Sequence, residues 1–202
     1  TTVAGNVPLR LTSRNARLIC ERMGRPDIPV FAGCPRPLLR APVTAEDFHG
    51  ESGIYGIEVF EPKAPLQLAH AVTEIIRQLK AAPARSFTLV VTGPMTNIAC
   101  ALVMAPEIAD AIAEIVIMGG ADIEGGNITP FAEFNIFADP HAAAIVFDAG
   151  LPTVVLALDA THQVRAEQAR VDRIRALPGR NAALMADLLD AANRLELRWR
   201  PG

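Results

Sequence analysis

Asn127, Glu133 and Asn135 stand within nine residues of one another, in the stretch Gly125-Gly126-Asn127-Ile128-Thr129-Pro130-Phe131-Ala132-Glu133-Phe134-Asn135-Ile136-Phe137-Ala138-Asp139-Pro140. Two amides that donate and accept, beside one strong acceptor, suit a ligand rich in hydroxyl groups, of which a sugar is the plainest example. Asn also caps turns, and the residues alone leave both readings open. The stretch follows an apolar run, Ile115 to Met118, that reads as a buried strand. Its polar side chains are therefore expected just past a strand end.

Other patterns argue against other chemistries. Gly50-Glu51-Ser52-Gly53 approaches the elbow of serine hydrolases, but position 54 is Ile and no buried strand leads into the turn. Gly50, Gly53 and Gly56 are spaced by three, which is not a dinucleotide fingerprint, and no Walker A pattern occurs. The four His (His49, His70, His141, His162) lie apart, without His-Glu-x-x-His or Cys/His pairs, so zinc is not indicated. His70 and His141 read as surface or packing residues of helices, and His162 as a structural residue after a strand. Asp159 reads as a cap or structural residue.

The elements that must position these residues follow from periodicity and punctuation. Thr12 or Ser13 is expected to cap a helix running to about Met23, with Gly24 as its stop. Ile28 to Ala32 reads as a short strand, followed by a Pro-rich loop. Apolar residues at helical spacing from Leu66 to about Ala81 predict a helix. Strands are expected at Phe87–Val91, Ile115–Met118 and Thr153–Leu158. Helices are expected from Asn97 to Met104, from His141 to Asp148 (Asp139 as N-cap, Pro140 at the first position), from Ala166 to Leu177 and from Ala182 to Leu197. Strands alternating with helices imply an α/β fold in three layers, a mostly parallel sheet with helices on both faces. In such folds ligands sit beyond the carboxyl ends of the strands, where Asn6, Thr92, Met118 to Asn135 and Asp159 to Gln163 all fall.

Composition narrows the class. The chain has 202 residues, enough for a single domain with a sizeable core, half of them hydrophobic, with a net charge of −3. Near-balanced charge points to neither nucleic acid nor an anionic membrane surface. No apolar run reaches membrane-spanning length. Three Cys without Cys-x-x-Cys spacing read as reduced thiols of a cytoplasmic protein. Thr1 to Gly5 reads as the end of a strand, and Leu195 to Gly202 as helix-like sequence without a terminator. The domain, residues 1–202, is accordingly expected to be incomplete at both ends, with a gap or an unpaired inner edge in its sheet.

Six blocks in fixed order carry a resemblance. Val3-Ala4-Gly5-Asn6, His49-Gly50-Glu51-Ser52-Gly53, Thr92-Gly93-Pro94-Met95-Thr96-Asn97, Met118-Gly119-Gly120-Ala121, the Gly125–Pro140 stretch and Leu158-Asp159-Ala160-Thr161-His162-Gln163 together resemble the inosine-uridine preferring nucleoside hydrolase family. The resemblance implies hydrolysis of the N-glycosidic bond of ribonucleosides, with calcium-bound water, by a homo-oligomer (dimer or tetramer). It implies Asn127 and Glu133 at the ribose 5′-hydroxyl, Asn135 at the ring-face hydroxyls, Asn6 near the ribose and Met118 against the sugar. Thr92 corresponds to a calcium ligand through its backbone carbonyl, and His49 to a catalytic residue at the base end of the site. Glu133 is the carboxylate that would stabilise positive charge on the ring. Two departures concern His49's loop: Ser52 replaces an Asp of the family pattern and Tyr55 a Gly. The family's Asp-x-Asp-Pro-Gly-x-Asp-Asp segment is expected before Thr1 and its late His-Asp pair beyond Gly202. This chain alone is therefore expected to be nearly inactive. A non-catalytic ribose-binding relative or a structural subunit is the alternative.

Overall fold

A computed structural model describes residues 1–199. After an extended segment at Thr1–Ala4 come α1 (Leu9–Arg22), β1 (Val30–Phe31), α2 (Glu46–His49), β2 (Leu66–Gln67), α3 (Ala71–Lys80), β3 (Phe87–Val91) and α4 (Thr96–Met104). A 3-10 turn at Pro106–Ala111 leads to β4 (Ile112–Met118), α5 (Phe134–Ala138), α6 (Pro140–Asp148), β5 (Thr153–Leu156), α7 (Leu158–Thr161), α8 (Gln168–Arg175) and α9 (Arg180–Trp199). Every pairing between named strands is parallel: β1 with β2, and β4 between β3 and β5. Parallel neighbours need crossovers, which α4 supplies from β3 to β4, and α5 with α6 from β4 to β5.

The core lies on one face of β3–β4–β5. Ile115 and Ile117, fully buried, pack with Leu89 and Val91 against Val72, Ile75 and Leu79 of α3, Ile98 and Leu102 of α4 and Val146 of α6. Each such side chain contributes about 1.5–3 kcal/mol relative to an exposed one. The opposite face carries the row Val90–Val116–Val154, aligned by register. Among the described residues this row is open, Val90 being 68% and Val154 47% exposed.

Three expectations about elements are corrected. Helix α1 starts at Leu9, after Pro8, rather than at Thr12 or Ser13. Both hydroxyls are otherwise engaged: Thr12 Oγ1 donates to the Leu9 carbonyl (3.0 Å), and Ser13 Oγ, buried, pairs with Thr2 Oγ1 (2.8 Å). Leu66–Gln67 is not helical but pairs with Val30–Phe31 as β2. The helix begins five residues later, with His70 as its cap, Nδ1 accepting from the Val72 N–H at 3.3 Å. Strand β5 stops at Leu156, and Leu158 already belongs to α7. Other expectations hold with shifted ends: Gly24 stops the first helix in the left-handed region (φ 76°), and Asp139 caps α6, Oδ1 accepting from the Ala142 N–H at 3.1 Å. The final stretch, 200–202, lies outside the described residues.

The N-terminal segment stands apart from the three-stranded sheet. Thr2 bridges Ala32 in parallel, with the Thr2 N–H donating to Phe31 (2.9 Å) and the Ala4 N–H to Cys34 (3.0 Å). A cavity of about 410 Å³ separates this segment from the end of β3, with Thr1 to Val3 on one wall and Val90 to Pro94 on the other.

Candidate active site

Strand β4 delivers the chain to Met118, and Gly119-Gly120 turn it toward the rim. Gly120 takes φ 80°, a conformation that a side chain would strain. A Cβ on Gly119 would stand 3.3 Å from Glu133 Oε2, so glycine admits the carboxylate against the backbone. Glu133 is 2% exposed. Its Oε2 accepts from the N–H groups of Gly120 (3.1 Å), Asn135 (2.9 Å) and Ile136 (3.2 Å). One carboxylate oxygen thus caps α5 and ties it to the exit of β4. All three bonds fall on Oε2, and Glu133 itself does not line the cavity that Asn135 reaches.

Asn135 follows on the first turn of α5, buried. Its Nδ2 donates to the Met118 carbonyl at 3.0 Å and touches Met118 Sδ at 3.3 Å, and the residue lines the cavity. Asn127 is exposed, and its Oδ1 accepts from the Phe134 N–H at 2.8 Å, so it closes the loop as a turn residue while its Nδ2 stays available. Gly126 permits this turn, since a Cβ there would collide with the Thr129 carbonyl oxygen.

Asn6, on the side of the N-terminal segment, and Thr92, on the side of the β3 exit, line the same cavity as Asn135. Gly5 and Pro94 meet between them, a Cβ on Gly5 falling 3.0 Å from Pro94 Cδ. Met118 reaches the cavity only through Asn135. His49 does not line it. It ends α2, half-buried, with its ring edge-on to Phe48 at a centroid distance of 5.0 Å, and burial lowers its pKa. The loop that follows does reach the cavity, through Gly53.

No site role follows from the sequence for three residues that the structure shows as ties. Asn97, 5% exposed, lines the cavity and joins its parts: Oδ1 accepts from the Cys34 N–H (2.8 Å) and Nδ2 donates to the Thr2 carbonyl (2.8 Å). A buried Asn after Gly-Pro-Met-Thr was the available signal. Asn15 of α1 holds the His49 loop by donating to the Ser52 carbonyl (2.8 Å), and gave no signal beyond its place on a helix. Asp139, fully buried, accepts at Oδ2 from Thr96 Oγ1 (2.7 Å) and from the Leu38 N–H (3.0 Å), besides capping α6. Asp159 anchors the other end of the glycine-rich loop through the N–H groups of Asp122 (2.8 Å), Ile123 (2.9 Å) and Glu124 (3.0 Å). Those N–H groups, Asp122's first, hold its carboxyl below the usual range. His162 Nδ1 meets Glu124 Oε2 at 3.1 Å beside it.

Residues 1–200 match the family model described as inosine-uridine preferring nucleoside hydrolase. The chain is 48% identical, over 92% of its length, to an uncharacterized protein of Schizosaccharomyces pombe. It is 43% identical, over 94%, to the pyrimidine-specific ribonucleoside hydrolase RihA of Salmonella enteritidis. It spans 60% of the length of each. Among solved structures, the purine-preferring ribonucleoside hydrolase of Gardnerella vaginalis superposes with a TM-score of 0.91 at 33% identity, covering 98% of this chain and 64% of that one. A plant nucleoside hydrolase gives 0.89 at 28% identity, covering 96% and 61%. The architecture is thus the three-layer α/β fold of these enzymes, and the chain belongs to the inosine-uridine preferring nucleoside hydrolase family.

Proposed function

We propose that this chain is the sugar-holding part of an enzyme that hydrolyses the N-glycosidic bond of ribonucleosides to ribose and free base. The observation that carries the reading is the convergence of Asn6, Thr92 and Asn135 on one cavity, with Glu133 locked beside it. Asn135 Oδ1 and the amide of Asn6 are suited to the ribose hydroxyls, Asn127 Nδ2 and Glu133 Oε1 to the 5′-hydroxyl, and Met118 to the sugar's apolar side. Cleavage of a glycosidic bond passes through an oxocarbenium-like state. A buried carboxylate fixed by three backbone bonds lowers the energy of that cation without reorganising. His49 belongs to the base end of the site, where its lowered pKa favours the neutral ring at pH 7.

Calcium coordinates six to eight oxygens, and Thr92 offers one carbonyl. Among the described residues no group of three His, Cys, Asp or Glu is placed to hold a metal ion. The described residues do not by themselves fit a calcium ion, and the roles assigned above belong to side chains alone. Hydrolysis is therefore a property of a protein of the relatives' full length, and the isolated chain turns over far more slowly than the ~1–10³ per second of ordinary enzymes. We further place it as one domain of a cytoplasmic homo-oligomer. The unbridged Cys20, Cys34 and Cys100 agree with a reducing compartment, and among the described residues no helix is long and apolar enough to cross a membrane.

The test is a chimera in which this chain replaces the matching segment of the Salmonella RihA protein, assayed for ribose release from uridine and inosine with calcium. The folded chimera is expected to hydrolyse at least one of them, and Asn135→Ala to lower kcat/KM about 100-fold. A folded chimera without ribose release, or one indifferent to Asn135, overturns the proposal.

A further inference from the structure

Cys34 and Cys100 lie 66 residues apart in sequence, yet their Sγ atoms stand 3.9 Å from one another. Both are partly exposed, and neither is bridged. Cys34 follows the exit of β1, while Cys100 sits in the middle of α4. The backbone of Cys34 is held on both sides: its N–H donates to Asn97 Oδ1 of α4 (2.8 Å), and its carbonyl accepts from the Ala4 N–H (3.0 Å). The pair therefore spans the junction between the Thr1–Ala4 wall of the cavity and the helix behind it. A disulfide needs the sulfurs at about 2.05 Å. The sulfurs must therefore approach by about 1.8 Å, a distance within reach of rotation about the two Cα–Cβ bonds.

We propose that Cys34 and Cys100 form a dithiol site that closes to an intramolecular disulfide on exchange with a small disulfide, stapling the exit of β1 to α4. One cysteine, as thiolate, attacks the small disulfide, forms a mixed disulfide and releases one small thiol. The second cysteine then attacks the mixed disulfide at the protein sulfur, forms the Cys34–Cys100 bond and expels the second small thiol. Two protein thiols are oxidised, one disulfide is reduced, and the two protons end on the released thiols. Burial, with Cys100 alongside, pushes the Cys34 thiol up to about 12. Closure is accordingly slow at neutral pH and quickens as pH rises. Cys20, on α1, is outside the pair and serves as an internal reference.

Incubating the native chain with oxidised glutathione at about pH 8.5, then titrating thiols after denaturation, is expected to leave one of the three. Peptide mapping should link the Cys34 peptide to the Cys100 peptide, with no glutathione retained on either. Because the staple constrains the unfolded chain, Tm should rise by about 5–10 °C. Cys20→Ser should behave like the parent, whereas Cys34→Ser and Cys100→Ser should lose the linkage. Stable glutathione adducts on Cys34 or Cys100, cross-links through Cys20, or a linked pair with unchanged or lower Tm would overturn the proposal. None of these readouts uses a nucleoside, so the result stands apart from the function proposed above.

Discussion

Around Glu133 the chain fastens itself with charged hydrogen bonds spanning 2 to 13 residues, whereas the opposite wall at Thr1–Asn6 is stitched to α4 by one neutral amide, Asn97, across 95 residues. The first meets the cavity through Asn135, the second through Thr1 to Val3, Gly5 and Asn6. The first carries its rigidity in local sequence: two glycines, a carboxylate and a five-residue helix. The second depends on a long-range contact that exists only once α4 is seated. A carboxylate bonded to three N–H groups is the stronger device, since bonds to charged acceptors contribute about 1.5–3 kcal/mol and neutral ones about 1. The two walls should therefore fail to different degrees when their ties are cut.

Glu133→Ala should show the largest effect. It strands three N–H groups near the protein interior and is expected to destabilise the chain by about 3 kcal/mol, read from denaturant unfolding. Glu133→Gln retains an acceptor and should cost about 1 kcal/mol. Equal losses for the two would show that the carboxylate's charge has no part in holding this wall.

Asn97→Ala comes next, at about 2 kcal/mol, because it unpairs the Cys34 N–H and takes one of two donors from the Thr2 carbonyl, which keeps the Gly33 N–H. The comparison predicts where the damage goes. Hydrogen exchange should accelerate at Thr2, Ala4, Gly33 and Cys34 while the Gly120, Asn135 and Ile136 amides keep their protection. Loss of protection on both walls together would mean that they form one cooperative unit.

The smallest effect belongs to Asp159, which holds the loop of the first wall from outside. Its folded pKa is depressed, so its contribution is complete above the unfolded value near ~3.9 and disappears as pH falls through the folded value. Tm measured from about pH 2 to pH 7 should show Asp159→Asn below the parent at neutral pH and converging with it at the acid end. A constant offset across that range would assign the effect to packing rather than to the charge.

How much of this was legible beforehand follows the same division. The apolar runs at 87–91 and 115–118 and the run beginning at 153 announce strands, and Asp139-Pro140 marks the start of α6, because in each the deciding residues are neighbours. The start of α1 misled because Thr12 and Ser13 have cap chemistry, but Ser13 is claimed by Thr2 across the fold. Leu66 fits a helical spacing, and only its pairing with Val30 makes it strand. Asn6, Asn127, Glu133 and Asn135 were singled out by type and by resemblance. That Glu133 caps a helix, that Asn97 stitches a wall and that Asp139 joins Leu38 to Thr96 are contacts no local pattern encodes.

The claim at the centre is that the wall built on Glu133 and Asn135 holds the sugar, and saturation-transfer NMR on this chain with uridine and inosine tests it most directly. The ribose protons should receive more saturation than the base protons with both nucleosides, and Asn135→Ala should lose the ribose signal while the chain stays folded below a Tm modestly lowered by the lost Met118 bond. Saturation confined to the bases, or an undiminished ribose signal in Asn135→Ala, would contradict it.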